Sequence, residues 1–258
     1  MNINAIYFAM AAAALMLQPL DTCGVTVSTP YVNTFDTMAS TNDFAYGGSP
    51  ADKLLYVEWT WNASMHQNYM RSANAAKTLY GWATLDFSDV GGTPALARNF
   101  AASATMRAKS NVGTTLTRPG GFQGLCALAS NEALGEYYYA MVYFTNVVGY
   151  VSISKIVAGS EVLSVSSPTT ITFDRDWVYN LRLVGDYSSS ASPKLTLSFD
   201  FSRGAETNSV SLVDPDPLAG TRIGYRSCNN NGGCWVWWDN FAVESWVVPD
   251  AGTVVVIR

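Results

Sequence analysis

The chain has 258 residues, a formal net charge of −5, and 14% charged against 13% aromatic residues. That length buries about 70 to 75% of the unfolded surface, enough for one sizeable core. Few charges and abundant Thr, Ser, Gly, Val and Tyr favour strands and turns over helices, and with no basic stripe to neutralise a phosphate backbone, nucleic acid is excluded as the expected partner.

The chain opens on an apolar stretch from Ala5 to Leu17, the length of a signal-peptide core and too short to span a bilayer. No Lys or Arg precedes it and no clean small-x-small site follows. Residues 1–22 therefore read either as an export signal or as a retained docking helix. The second reading belongs to an assembly component such as a virion decoration or fibre protein. Residues 23–247 read as one domain, and 248–258 as a tail or edge strand.

From Val25 onward the chain reads as short β-segments. "KLLYVEWTW" (53–61), "LYGWATLDF" (79–87), "NFAASATMRAK" (99–109) and "GFQGLCALA" (121–129) alternate or run apolar between turn residues. "MHQNYMRSANAA" (65–76) lacks period-two alternation, which predicts a helical turn or a surface loop. The second half brings strands about every 10 residues, the cadence of an antiparallel sandwich. Leu195, Leu197, Phe199 and Phe201 share one face, as do Trp177, Tyr179, Leu181 and Leu183. In the closing strand Phe241 and Val243 share the inward parity. Regular alternation then places Trp235 and Trp237 inward and Trp238 outward, unless a bulge at Asp239 shifts the register.

Cys228 and Cys234 bracket Asn-Asn-Asn-Gly-Gly, a spacing that suits a disulfide pinning a hairpin loop. Such a closure contributes about 2 kcal/mol in the chain-entropy picture and implies an oxidising compartment. Two free thiols are the alternative. Cys23 and Cys126 are candidates for a second bridge, and no C-x-x-C near a histidine supports structural zinc.

The succession "YYYAMVYF" (137–144), "WVYNLRL" (177–183), "LTLSFD" (195–200), "DPDPLAGTRIGYR" (214–226) and "WWDNFAVE" (237–244) resembles the laminin-G-like and concanavalin-A-like jelly-roll superfamily. The resemblance covers residues 120–246 well and 25–120 loosely. It implies an all-β, two-sheet antiparallel sandwich, and its motifs encode strand packing more than chemistry. Calcium on rim loops is a candidate cofactor by the same resemblance, with the metal ligands unassigned and no other cofactor expected. The superfamily's glycosidases carry E-x-D-x-x-E, because a retaining mechanism needs two carboxylates about 5 to 5.5 Å apart. None of the six glutamates here has Asp two residues later. The D-x-D pairs Asp174/Asp176 and Asp214/Asp216 read as turns, and the single histidine, His66, lacks a G-x-S-x-G partner.

Sugar sites use aromatic faces for pyranose C–H groups and polar side chains for the hydroxyls. Trp235, Trp238, Tyr225, Arg226, Asp239, Asn230 and Asn231 are the candidate ligand-binding residues, with core packing as the competing role for the aromatics. The expected function is a non-catalytic, secreted or cell-surface module that binds carbohydrate or an extracellular protein. A structural assembly or virion component with self-association is the first alternative, and a glycan-active hydrolase or lyase the second.

Overall fold

The computed structural model describes residues 29–37, 39, 42–48, 57–62, 67–72, 79–88, 99–110, 121–131, 135–144, 148–168, 170–172, 178–188, 194–229 and 234–246. Cis peptide geometry occurs at Thr29-Pro30. Among the described residues sixteen strands follow in chain order: β1 (Tyr31–Asn33), β2 (Ala45–Gly48), β3 (Val57–Asn62), β4 (Gln67–Ser72), β5 (Leu79–Asp86), β6 (Asn99–Ser110), β7 (Gly121–Ala129), β8 (Tyr137–Phe144), β9 (Val148–Val157), β10 (Ser160–Ser166), β11 (Ile171–Thr172), β12 (Tyr179–Tyr187), β13 (Leu195–Arg203), β14 (Glu206–Asp214), β15 (Arg222–Asn229) and β16 (Cys234–Trp246). The first sheet runs β14-β13-β12-β6-β16-β4-β3, with β1 also on β16. The second runs β10-β9-β8-β7-β15-β5-β2, with β11 also on β9. No helix among the described residues is long and apolar enough to cross a membrane.

The strands form where alternation demands it. In β12 and β13, Tyr179, Leu181, Leu183, Leu195, Leu197, Phe199 and Phe201 are sealed in the core, as their shared parity predicts, while Asn180, Arg182 and Asp200 face solvent. Trp177 lies outside the described residues. Between β9 and β10, Ala158 (φ 50°) and Gly159 (φ 76°) both take the left-handed conformation that a tight two-residue hairpin matching strand twist requires. Residues 67–72 depart from the helix-or-loop expectation. They form β4, paired on one side with β3 and on the other with β16, so tertiary pairing overrides a sequence with no alternation of its own.

Two features lock the sheets together. The first is aromatic: Tyr225 of β15 stacks on Trp238 of β16 with ring centroids 4.2 Å apart, and Phe241 and Phe44 close around them. The second is ionic. Asp214 ends β14 in the first sheet, and Lys155 reaches it from β9 in the second, Nζ to Oδ2 2.8 Å. The Tyr138 hydroxyl donates to the same oxygen at 2.5 Å, and the Asp216 amide donates to Oδ1 at 2.9 Å. Lys155 Nζ also donates to the Asp216 carbonyl. Asp214 thus belongs to a buried inter-sheet tether, in accord with a structural role for the second D-x-D pair. Asp174 and Asp176 lie outside the described residues.

Burial alone would raise the Asp214 carboxyl, but hydrogen bonds from Lys155, Tyr138 and the Asp216 amide, with the lysine charge, hold it below its ordinary value. A carboxylate held low stabilises the fold at neutral pH. That contribution fades as pH drops below the ordinary value of about 4 towards the folded one. Asp214→Ala leaves the Lys155 ammonium buried without its counter-charge, and urea unfolding is expected to show a loss of about 3 to 5 kcal/mol. Asp214→Asn is expected to flatten the stability decline between pH 5 and about 2, and an unchanged acid slope would remove the tether from the account.

Candidate functional site

The aromatic residues around 225–239 do not converge. β15 lies in the second sheet and β16 in the first, so the Cys228-to-Cys234 stretch crosses between sheets instead of closing a hairpin within one. Tyr225 and Trp238 have no solvent exposure and face each other across the sandwich interior. Both are core, which corrects their assignment to a ligand platform. The reason lies in the backbone of β16. Asp239 pairs Thr105 and Ala242 pairs Ser103, so one extra residue is spent between them, and Asn240 sits at φ 50°. The bulge lets Trp238 and Phe241, three residues apart, both point inward.

Asp239 serves that bulge. Its carboxylate accepts the Asn240 amide at 2.8 Å, and its carbonyl accepts the Thr105 hydroxyl at 3.1 Å. Arg226 sits on the second sheet and Asp239 on the first, so they do not share a site. Trp235 pairs Arg71 and Lys109 through its backbone. Its side chain, those of Trp237, Cys228 and Cys234, and residues Asn230 and Asn231 lie outside the described residues, as do Cys23, His66, residues 1–22 and the tail 248–258. Cys126 is a buried free thiol, and its expected partner Cys23 lies outside the described residues. Burial, opposed in part by the Arg226 charge, pushes the Cys126 thiol up to about 12, so it stays protonated at neutral pH.

A different aromatic surface emerges on the outer face of the second sheet. Strand β8 is apolar on both parities, and its neighbours β7 and β9 add apolar side chains to both faces. One parity supplies Leu125, Ala127, Tyr138, Ala140, Val142, Val151 and Ile153 to the core. The other places Cys126, Ala129, Tyr137 and Tyr139 in a separate buried cluster, with Trp82, Phe122, Met141 and Ile156 half-buried against it. The Tyr139 hydroxyl, on β8, donates to the Arg226 carbonyl, on β15, at 3.1 Å, so its ring spans the intervening β7. The Arg226 guanidinium lies 4.7 Å from the Tyr139 ring centroid and 5.1 Å from that of Tyr137. Among the predicted ligand-binding residues whose side chains are described, Tyr225, Arg226, Trp238 and Asp239, Arg226 is on this face.

Next to this stack runs a cross-strand row of rings. Phe122 and Tyr143 are paired residues with centroids 4.6 Å apart, and Tyr143 and Tyr150 are paired at 5.0 Å. All three are half-buried. Burial, with Tyr143 adding to it, raises the Tyr150 hydroxyl above its ordinary value, so it remains a hydrogen-bond donor well past neutral pH. The floor beside the row is kept low by glycine. A Cβ at Gly124 would come within 2.0 Å of the Ala140 carbonyl oxygen, and one at Gly224 within 2.0 Å of that of Ala83. The signal in the sequence was the double apolar parity of "YYYAMVYF", since one buried face accounts for only half of those side chains.

No family model matches the sequence, and no curated protein matches it. Among solved structures, a legume lectin-like domain from Entamoeba histolytica superposes with a TM-score of 0.54 at 10% identity, covering 87% of this chain and 100% of that one. The chain has the concanavalin-A-like, lectin-type jelly-roll fold. The Lotus tetragonolobus seed lectin matches the same jelly roll with a TM-score of 0.50 at 10% identity, over 85% of this chain and 99% of that one. The Bacteroides ovatus xyloglucan PUL GH43B protein aligns at 14% identity over 41% of its own length, with a TM-score of 0.49.

Within this jelly roll the two aromatic groups have separable roles. Trp238→Ala removes a sealed core ring and is expected to cost about 3 to 5 kcal/mol in denaturant unfolding. Tyr150→Ala removes a half-buried ring from the outer row and is expected to cost under half as much. Equal losses would mean that the outer row is a second core and not an accessible surface.

Proposed function

We propose that the protein is a non-catalytic, secreted or surface-displayed carbohydrate-binding module whose ligand lies across the outer face of the second sheet. The observation that carries this reading is the half-buried row Phe122, Tyr143 and Tyr150, flanked by Met141, Trp82 and Arg226. Pyranose rings present C–H faces that pack on aromatic rings, and the Tyr hydroxyls and the guanidinium supply directional polar contacts. The row crosses three strands, so a chain of sugars laid along it would run perpendicular to the strands. Solved proteins sharing the fold include one named a seed lectin and one named a legume lectin-like domain, which supports the ligand class. The non-catalytic reading rests on the lack of an E-x-D-x-x-E pattern and on the engagement of Asp214 by Lys155 and Tyr138. Calcium remains part of the proposal to be tested, through the rim loops.

The test is retention on a panel of immobilised polysaccharides, with and without calcium, followed by calorimetry on the best ligand. Tyr143→Ala and Trp82→Ala are each expected to weaken binding by roughly tenfold, the equivalent of about 1.4 kcal/mol. Failure of the wild-type protein to bind any glycan, or full affinity in the double variant, would refute the platform.

A further inference from the structure

We propose that Lys155 and Asp214 condense into an isopeptide bond, an amide between the two side chains that joins the two sheets covalently. The pair has the surroundings such a reaction needs. Lys155 is 8% exposed, Asp214 3% and Tyr138 not at all, so water is largely kept from the reacting groups. Lys155 Nζ lies 2.8 Å from Asp214 Oδ2 and donates to the Asp216 carbonyl at 2.6 Å. Holding amine and carboxyl in contact turns a bimolecular condensation into a unimolecular one, which removes a large part of the barrier met in free solution.

Both oxygens of the carboxyl group already have the partners that the reaction calls for. The Asp216 amide donates to Oδ1 at 2.9 Å, where it stabilises the negative charge that gathers on that oxygen when nitrogen attacks Cγ. The Tyr138 hydroxyl donates to Oδ2, the departing oxygen, at 2.5 Å. Its own oxygen accepts the Leu218 amide at 3.2 Å, which keeps the hydroxyl proton turned to the aspartate. Pro215 follows Asp214 and has no backbone N–H, so the cyclisation onto the next residue's nitrogen that competes for an aspartyl carbonyl carbon is closed.

The step balances without any outside reagent. The ammonium passes one proton to Oδ2, which leaves a neutral amine beside a carboxylic acid. The Nζ lone pair then forms the N–C bond to Cγ, a second proton moves from nitrogen to Oδ2, and the C–Oδ2 bond breaks to release one water. The last N–H stays on the new amide and keeps the Asp216 carbonyl as its acceptor. Two buried charges become one neutral, hydrogen-bonded amide, and the cost of holding them away from water disappears. That relief is the driving force. The bond closes the chain from Lys155 to Asp214 into a loop, so it constrains the denatured chain as a disulfide does. Chains that have not condensed keep the ion pair and its acid response.

The test is intact-mass spectrometry of the full folded chain after prolonged incubation at neutral pH, followed by a peptide map. The expected result is a mass one water below that of the sequence, with one branched peptide that carries both Lys155 and Asp214. Lys155→Arg keeps a cation but is expected to retain its full mass and to run more slowly on a denaturing gel than the linked chain. Tyr138→Phe keeps the reacting pair and is expected to slow the loss of water roughly a hundredfold, so unlinked chain persists. Full sequence mass in the wild type, a water loss that maps to other residues, or a loss that persists in Lys155→Arg would each overturn the proposal, and an unaltered rate in Tyr138→Phe would overturn the part given to Tyr138. If Lys155→Arg fails to fold, the wild-type map decides alone, because the branched peptide arises only from the bond itself.

Discussion

One extra residue in β16 decides how the interior of this sandwich is filled. Without the bulge at Asn240, Trp238 and Phe241 would face opposite sides of the first sheet, and one large ring would be forced out into solvent. With it, both point at Tyr225 and Phe44, and the two sheets share an aromatic centre. The bulge coincides with a change of neighbour. On one side of β16, β4 pairs residues 235–238 and β1 pairs 241–243, and the gap between them falls at the irregular residues. A local break in pairing is thus placed where no strand needs continuous hydrogen bonds. Asp239 and Thr105 satisfy polar groups that the break leaves open.

At the β14 side of the sandwich the tie is polar. Lys155 is an inward residue of β9, and an unpaired ammonium there would be costly. Asp214, Tyr138 and the Asp216 carbonyl surround it, which gives the aspartate-proline turn after β14 a fixed position over the second sheet. Arg222 does comparable work on the outer face, donating to the Thr84 hydroxyl at 3.0 Å and sitting 3.4 Å from the Asp86 carboxylate, which also accepts from Thr221. Charged side chains here hold strands and turns to one another, and the carboxylates among them are already engaged.

The outer face of the second sheet follows from the same economy of side chains. Glycine and cysteine form a low floor on β7 and β15, Tyr139 lies across it, and Arg226 covers the rings of Tyr139 and Tyr137. The residues of the adjoining row, Phe122, Tyr143 and Tyr150, are only half-buried. The first sheet contrasts with this. Its outer side at β13 and β14 carries Thr196, Ser198, Ser202, Thr207, Ser209 and Ser211, a surface of small hydroxyls with nothing to stack on. The two outer faces therefore differ in character, rings on one and small hydroxyls on the other.

The all-β class, the two-layer architecture and the inward rows of β12, β13 and the end of β16 were legible from the sequence, because period-two burial is a local property that each strand expresses alone. The outer aromatic row was not, although Arg226 lies beside it, and the core places of Tyr225 and Trp238 were not either. Residues 225 and 239 are close in sequence but belong to different sheets, and a one-residue bulge reverses which face Trp238 takes, so neither proximity nor parity could place them. β4 was missed for a related reason, since its strand state comes from its neighbours on both sides. Composition and alternation determined that these residues form a sandwich. Only the order of strands in each sheet decided which aromatic side chains fill it and which are left on its surface, because sheet order depends on pairings between segments far apart in the chain.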